Sequence, residues 1–209
     1  MKCHRRFHPL PQTVSIIVGM SLLAMIPACG GPTTKSSGAV PPDSGPKTPA
    51  GAPGQWVSFA PEGVGFRADF PAQPALSFNP PDAPKDDKSA SRLYTYAWNP
   101  AYAFTVSTTS LAGRPLPADK VLQYFQAMRD NIAVQLKGEV AQTTEVERAG
   151  LKGLDYTIRL PEKRAMRTRV FFKDDRVYQA IVMGTESEVV SADAERFIKS
   201  FEVVPTGKK

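Results

Sequence analysis

Residues 30–54 are the segment that most limits where this chain can fold. They read GGPTTKSSGAVPPDSGPKTPAGAPG, with six glycines, six prolines and Val40 as the only large aliphatic residue. A segment of this composition cannot bury enough apolar surface to offset the entropy that it would lose on ordering. We therefore predict a disordered linker that ends at Gly54, and we expect the fold to lie in the residues after it.

The residues before the linker have the layout of a cleaved secretory leader. Lys2, Arg5 and Arg6 give a basic start without an acidic residue, and residues 13–26 form an apolar run of 14 positions. A basic start, a short apolar run and small residues at the junction are typical of a signal peptide. A membrane-spanning helix needs about 20 apolar residues, which this run does not reach. We therefore predict a signal peptide over 1–28.

A cysteine, Cys29, lies at the end of this leader and begins the linker segment 29–54. The junction IPAC, residues 26–29, resembles the lipobox of bacterial lipoproteins, in which the cysteine thiol is lipidated and becomes the new amino terminus. Because Cys3 leaves with the leader, Cys29 would be the sole thiol of the mature chain, and an uncapped thiol is a liability in an oxidising compartment. The resemblance implies acyl chains such as palmitate on Cys29. The alternative is an ordinary secretory signal with an incidental cysteine.

These features predict a location in the cell envelope, with the chain anchored by lipid to a membrane on its non-cytoplasmic side. Two or three acyl chains would make the anchor close to permanent, because each buried methylene contributes about 0.8 kcal/mol. Gly30 stands where lipoproteins kept in the inner membrane of many diderm bacteria carry an aspartate. The outer membrane is therefore favoured if the source has two membranes.

The charge and the histidine content exclude several classes of function. The whole chain has a net charge of +6, but residues 1–28 hold three of the 26 basic residues and none of the 20 acidic ones, which leaves 23 minus 20, or +3. This charge is too mild to predict nucleic-acid binding. Both histidines, His4 and His8, lie in the predicted leader, which excludes histidine-based catalysis and histidine metal ligands from the mature chain. We predict no catalytic residue, no cofactor and no metal site.

Carboxylates keep one enzymatic alternative open, since two acidic groups alone can hydrolyse a glycosidic bond. The acidic pairs Asp86-Asp87 and Asp174-Asp175 fall in predicted turns, where aspartates are ordinary solvated residues. A carboxylate-only hydrolase would need two acidic groups that face each other across a cleft. We therefore expect a protein that is not an enzyme.

Residues 55–205 have the length of one domain, and 206–209 are predicted to be a disordered tail. Short aromatic and β-branched runs between prolines and glycines predict strands and tight turns over 55–80. The charged loop 79–91 is predicted to be either a mobile hairpin tip or a partner-binding loop.

The segments 92–98 and 102–110 are predicted to form a hairpin around Asn99-Pro100-Ala101. Residues whose numbers sum to 200 then face each other, and six of them share one face because strand side chains alternate. This row is either core or the platform of a carrier for small or lipidic ligands: Tyr94, Tyr96, Trp98, Tyr102, Phe104 and Val106. The opposite face has small side chains that suit a position near a covering element: Thr95, Ala97, Ala103, Thr105 and Ser107.

Two later segments predict helices. Over 117–137 one apolar helical stripe precedes a stop at Gly138: Val121, Phe125, Met128, Ile132 and Leu136. In the segment 185–204 a second stripe follows alternative caps at Thr185, with Glu188 in capping-box spacing, or at Ser191: Val190, Ala194, Phe197 and Phe201. Both stripes should pack on a sheet.

Four extended segments lie between the two helices: 139–148, 154–160, 165–173 and 176–183. In the last hairpin, which turns at Asp174-Asp175, apolar side chains occur on both faces, so this part of the sheet should be covered from both sides. We therefore predict an α+β fold, in which an antiparallel β-sheet has helices packed on its faces as an α/β sandwich.

Three arginines are the best candidates for a binding site. Pairing Leu160 with Met166 places Arg159 opposite Arg167, with Arg169 one step along on the same face. Such a cluster suits an acidic partner, a phosphate-bearing ligand or a membrane surface. The structural alternative is that the arginines pair with nearby acids or lie around a covering helix. The acids in question are Asp155, Glu145 and Glu147.

The element order and three sequence segments resemble the PsbP-like superfamily, which includes bacterial lipoproteins of the LpqN type. The segments are GVGFRADFPAQP near the start of the domain, the long helix after the aromatic hairpin, and SADAERFIKSFEVV at the end. The resemblance covers most of 55–204. It implies a central antiparallel sheet between helices that binds other proteins without catalysis, and it assigns no functional residue.

Together these observations predict a membrane-anchored envelope lipoprotein whose domain binds or supports another envelope protein. The alternatives are a carrier of a small or lipidic ligand on the aromatic row, and a carboxylate-only hydrolase. We predict no nucleic-acid partner and no metal.

Overall fold

An antiparallel sheet of seven strands is the central element of the domain. The computed structural model describes residues 55–84, 87, 90–111 and 113–206. The elements are, in chain order, β1 (Val57–Phe59), β2 (Phe66–Phe70), β3 (Ala75–Asn79), β4 (Ser91–Asn99), β5 (Tyr102–Ser110), α1 (Val121–Gln135), β6 (Glu139–Arg148), β7 (Leu151–Leu160), β8 (Arg164–Lys173), β9 (Arg176–Thr185), a 3₁₀ helix (Glu188–Val190), α2 (Ala192–Ser200) and β10 (Glu202–Val203). The sheet has the order β3-β4-β5-β9-β8-β7-β6, and a second sheet has the order β1-β2-β10.

Different elements cover the two faces of the seven-stranded sheet. On one face α1 packs against β6 and β7, with Phe125 and Ile158 in the core between them. On the other face α2 and the three-stranded sheet enclose an aromatic core around Phe66, Phe104 and Phe197. This arrangement confirms the predicted fold class, an antiparallel sheet with helices on its faces.

Several predictions fall on residues that the structure does not describe. The signal peptide 1–28, the linker 29–54 with Cys29, and residues 207–209 of the tail lie outside the described residues and stay predictions. The loop 79–91 connects the antiparallel neighbours β3 and β4, as the hairpin interpretation requires, although 85, 86, 88 and 89 are not described. Among the helices of the described residues, none has the length and apolar character needed to cross a membrane.

The β8–β9 hairpin has the predicted register. Phe171 lies opposite Tyr178 and Phe172 opposite Val177, on either side of the turn at Asp174-Asp175. Most of β9 is buried along its length, because β9 lies near the middle of the sheet and has cover on both faces.

The β4–β5 hairpin has the predicted register except at its tip. Two predicted pairs are present, Tyr94 with Val106 and Tyr96 with Phe104. Tyr102, however, lies opposite Asn99 and not opposite Trp98, so the third predicted pair is wrong. The side-chain oxygen of Asn99 accepts two backbone N–H hydrogen bonds from the turn, each of 2.8 Å, which holds the chain reversal at this residue. A bulge next to Asn99 leaves Trp98 42% exposed.

Helix α1 has the predicted apolar stripe but a different stop. Val121, Phe125 and Ile132 are buried as predicted. The residue with left-handed backbone after the helix is Lys137, with φ of 53°, and not Gly138. Gly138 is needed for another reason: a Cβ atom there would lie 2.5 Å from a backbone carbonyl oxygen of β7.

Of the two predicted caps, Ser191 caps α2, whereas Thr185 and Glu188 form capping-box hydrogen bonds across the turn before a 3₁₀ helix whose N-cap, Ser187, has no side-chain cap hydrogen bond. At the 3₁₀ helix, the Glu188 carboxylate accepts a hydrogen bond from the Thr185 N–H at 2.7 Å, and the Thr185 hydroxyl accepts one from the Glu188 N–H at 3.3 Å. The Ser191 hydroxyl caps α2 at 3.2 Å. The 3₁₀ turn buries Val189 and leaves Val190 66% exposed, so the prediction that Val190 belongs to the stripe is wrong.

Candidate protein-interaction surface

The structure assembles the predicted arginine face only in part. Thr157 lies opposite Arg167 and Ala165 opposite Arg159, so the predicted pairing of Arg159 with Arg167 is wrong. The pairing places the strands two positions away from the predicted register, because three residues, 161–163, form the turn instead of five. Arg159 is therefore separated from the other two arginines.

Arg167 and Arg169 converge on one carboxylate, Asp155. The Oδ2 atom of Asp155 lies 3.3 Å from Nη2 of Arg167 and 2.7 Å from Nη2 of Arg169, and the three side chains are only 13–16% exposed. Both arginines also reach α2: Arg167 pairs with Glu195 at 2.6 Å, and Arg169 donates a hydrogen bond to the carbonyl oxygen of Ile198 at 3.0 Å. These contacts join the helix to the sheet, as in the structural interpretation of the cluster.

Within this cluster the positive charges of the arginines are balanced by carboxylates. Burial alone would lower the pKa of Arg167, but the hydrogen bonds to Asp155 and Glu195 outweigh it, and the pKa is raised. Hydrogen bonds from Arg167 and Lys199 lower the pKa of Glu195. Two arginines thus meet two carboxylates, and an incoming anion would have to displace one of those carboxylates.

Arg159 lies outside this cluster and is half exposed. Its nearest acidic partner is Glu186, with 3.8 Å between Nε of Arg159 and Oε1 of Glu186. A single exposed arginine paired at this distance contributes little to stability. Of the three predicted site residues, the structure brings together Arg167 and Arg169 only.

The predicted aromatic row is core along most of its length. Tyr94, Tyr96, Tyr102, Phe104 and Val106 are each at most 8% exposed. They pack against α2 and the three-stranded sheet. None of them lines either of two shallow surface clefts, one beside Leu151 and Phe171 and the other beside Asp155. These five members of the row therefore fit the core interpretation, whereas Trp98 at the tip of the hairpin is exposed.

Two shallow clefts lie elsewhere on the surface. One, of about 260 Å³, has mainly apolar walls that include Leu151, Phe171 and Val203, with Glu202 as its only acidic lining residue. The other, of about 220 Å³, is polar and has Asp155 as its only acidic lining residue. Neither cleft therefore has the facing pair of carboxylates that a carboxylate-only hydrolase needs. Within the described ranges, no three His, Cys, Asp or Glu side chains are grouped to hold a metal ion.

The most distinctive surface is the half of the sheet that α1 leaves uncovered, which we call the open face. It lies on β3, β4, β5 and β9, on the side opposite the aromatic row, and cross-strand pairing makes it continuous. None of its side chains is charged and none is fully buried. The open face consists of Ala75, Ser77, Leu93, Thr95, Ala97, Ala103, Thr105, Ile181 and Met183.

The open face corrects one expectation from the sequence. Of the five small side chains of β4 and β5 that were expected near a covering element, Ser107 is buried, but Ala97 is exposed and Thr95, Ala103 and Thr105 are only partly buried, because α1 lies over β6 and β7, at the other end of the sheet. Thr95 and Thr105 share a hydrogen bond of 3.0 Å across the strands, which partly satisfies their hydroxyl groups. The sequence signal is the run of small, uncharged residues at alternate positions, which predicts a position near a covering element but does not say whether that element is present.

Comparisons with known proteins bear on the fold. No protein-family model matches the chain, and no curated protein matches it. Among solved structures, cyanobacterial PsbP (CyanoP) from Synechocystis sp. PCC 6803 is similar with a TM-score of 0.50 and 12% sequence identity, over 76% of this chain and 99% of CyanoP. At this identity the similarity shows the fold alone: the domain has the PsbP-like fold.

Two further solved structures are similar at lower scores. PA94 from Pseudomonas aeruginosa, a protein of unknown function, has a TM-score of 0.38 and 17% identity, over 65% of this chain and 87% of its own. A protein from Bacteroides thetaiotaomicron has a TM-score of 0.37 and 12% identity, over 75% of this chain and 51% of its own.

Proposed function

We propose that this protein is a lipoprotein of the cell envelope that is anchored through Cys29 and binds another envelope protein through the open face, without catalysing a reaction. The observation that carries the protein-binding role is the absence of charge from the nine residues of the open face. Solvent-facing strands of antiparallel sheets usually alternate apolar residues with polar and charged ones. Depletion of charged residues marks the core of a protein-protein interface.

The apolar members of the open face give it the remaining property of an interface. Leu93, Ile181 and Met183 are partly buried and contribute the remaining apolar surface, and Ile181 and Met183 also pack against the edge of the core beneath α1. The threonines between them supply hydroxyl groups for hydrogen bonds with a partner. An uncharged and partly apolar surface that lines neither of the two described clefts fits a folded protein better than it fits a small ligand, which prefers a concave pocket.

The predicted linker agrees with this role. Its 25 residues after Cys29 would span about 75 Å if they were fully extended. A domain on such a tether reaches partners at a distance from the membrane to which the lipid attaches it. Protein binding from an anchored domain is also what the PsbP-like resemblance implies.

The anchor is tested on the mature amino terminus. We expect mass spectrometry of the protein from envelope fractions to show a chain that begins at Cys29 and carries acyl mass. Cys29→Ser removes the only thiol at the predicted processing site, so this variant should lack acyl mass and keep residues 1–28. Wild-type protein found in the soluble fraction with an unmodified Cys29 would refute the anchor and leave the binding role to be judged separately.

The binding surface is tested by photocrosslinking in intact envelopes. A photoreactive side chain at Thr105 should yield one discrete adduct, whereas the same side chain at Gln126, on the exposed side of α1, should yield none. Adding Ala97→Lys to the Thr105 chain places a charge inside the interface and should lower the adduct yield about tenfold. Gln126→Lys is the matched control and should leave the yield unchanged.

Two outcomes of the same experiment would contradict the proposed binding surface. Equal adducts from Thr105 and Gln126 would mean random collision. An adduct from Thr105 whose yield is unchanged by Ala97→Lys would mean that the partner does not cover Ala97, so the open face as a whole would not be the interface. In both cases the thermal unfolding midpoints of the variants must match the wild type, which excludes unfolding as the cause.

A further inference from the structure

The outer edge of β6 is an uncapped edge of the central sheet. In the sheet order β6 is the last strand, and β7 is its only neighbour among the described strands. It has ten residues, seven of which are exposed. Its outward backbone N–H and C=O groups therefore form a long template for another strand.

The two edges of the sheet differ in how they are protected. The other edge strand, β3, has only five residues, and prolines lie at Pro74 and Pro80 on either side of it. Prolines and short length block edge-to-edge pairing. Strand β6 contains no proline and no lysine, and its bulge at Ala141 is the only irregularity in its pairing with β7. Strand β6 has a bulge and charged side chains, but its greater length and its lack of proline make it better suited than β3 to pair with another strand.

We propose that β6 pairs with β6 of a second copy of this chain, in an antiparallel arrangement with Thr144 on the two-fold axis. With Ala141 as the bulged residue of each strand, all ten residues of β6 take part. Paired side chains then fall on the same face of the joint sheet. The cross-strand pairs are Thr144 with Thr144, Thr143 with Glu145, Gln142 with Val146, Val140 with Glu147, and Glu139 with Arg148.

Charge disfavours the registers centred on Glu145 and Val146, and the Thr144 register pairs more residues of β6 than one centred on Thr143. The Glu139–Arg148 pair occurs twice, once at each end, and brings Glu139 next to an arginine that also pairs with Glu202 inside its own domain. A two-fold axis at Glu145 would place that glutamate against its own copy, and an axis at Val146 would place Glu145 against Glu147. Both alternatives put like charges directly opposite each other, which is destabilising. The Thr144 register contains no like-charge pair.

The chemistry of β6 also favours a second copy over an unrelated strand. A partner strand must present an unblocked edge and charges complementary to Glu139 at one end and Arg148 at the other. Strand β6 itself meets both conditions in the reversed direction. The pairing leaves the open face free, since the open face lies on β3, β4, β5 and β9, at the other end of the sheet. Self-association is therefore independent of the proposed function.

The experiment that tests this pairing is disulfide crosslinking of the full chain under copper-phenanthroline and dissolved oxygen. Residues directly opposite in an antiparallel pair have Cα atoms about 4.5–5.5 Å apart, within the range of a disulfide. Thr144→Cys should therefore give a covalent dimer. Gln142→Cys should give about tenfold less, because the two copies of residue 142 would be about 13 Å apart. The chain without a new cysteine measures the background from Cys3 and Cys29.

A mixture of chains tests the register itself. An equal mixture of Gln142→Cys and Val146→Cys should give a covalent heterodimer at about half the yield of the Thr144→Cys homodimer, because random association makes half of the dimers mixed, while each of the two alone should stay near background. Failure of both Thr144→Cys and the mixture to crosslink, in chains with wild-type unfolding midpoints, would overturn the pairing. Equal crosslinking at 142 and 144 would also overturn it, because random collision has no register.

Discussion

Phe197→Ala is expected to lower the free energy of unfolding by about 4 kcal/mol. Phe197 is fully buried on α2, and its ring lies 5.0 Å from that of Phe70 and 5.4 Å from that of Phe104. It thus joins the helix to the three-stranded sheet and to the seven-stranded sheet at one point. The loss combines the apolar surface of the ring with the cavity left between two sheets, which have little freedom to close it.

Urea denaturation followed by far-ultraviolet circular dichroism measures this effect. A loss of this size is a large part of the stability of a typical domain, so the transition midpoint should fall steeply. Val190→Ala is the control: Val190 lies just before α2 but is 66% exposed, and its removal should change the free energy by less than about 0.5 kcal/mol. Similar losses in the two variants would show that α2 is not held on the sheet through Phe197.

The parts of the fold that could be predicted from the sequence are those in which local patterns agree. In the β8–β9 hairpin the turn at Asp174-Asp175 sets the register, and Asp174 adopts the left-handed backbone, with φ of 58°, that aspartate tolerates in turns. The stripes of α1 and α2 follow helical periodicity and lie in the cores as predicted. In these elements the turn residues and the spacing of apolar residues predict the same secondary structure and the same buried face.

The errors in the predicted strand registers occur at turns whose residues give no clear turn signal in the sequence. The β7–β8 turn places Glu162 and Lys163 at φ of 60° and 58°, a conformation that favours glycine or asparagine. No such residue marks the turn in the sequence, so the register of Arg159 and Arg167 was predicted two positions away. At the β4–β5 tip, the Asn99 side chain closes the turn and displaces Trp98.

Non-local pairing was the other limit of prediction. The three-stranded sheet joins β2 to β10, and Arg67 of β2 pairs with Glu202 of β10 over 135 positions of sequence. Local periodicity predicts that both segments are extended but gives no information about their partner. The open face could not be predicted for the same reason. The alternation of side chains along the strands defines which residues share this face, but only the position of α1 over β6 and β7 shows that α1 does not cover them.

Asp155→Ala is expected to lower the free energy of unfolding by about 3 kcal/mol, because it leaves two arginines in a largely buried site with fewer charge partners. Asp155 is 13% exposed and contacts both Arg167 and Arg169, which keep only Glu195 and a backbone carbonyl of α2. Asp130→Ala is the matched control. Asp130 pairs with Arg129 at 2.7 Å but is 59% exposed, so its removal should cost less than about 1 kcal/mol. Chemical denaturation measures both variants.

Phosphate distinguishes a structural arginine cluster from an anion-binding site. In the wild type, Asp155 and Glu195 already neutralise Arg167 and Arg169, so millimolar phosphate should leave the unfolding midpoint unchanged. In Asp155→Ala the arginines lose their shared carboxylate, and phosphate should raise the midpoint by replacing it. If phosphate stabilises the wild type as much as the variant, the arginines bind anions in the native protein, and the interpretation that they serve to hold α2 on the sheet is wrong.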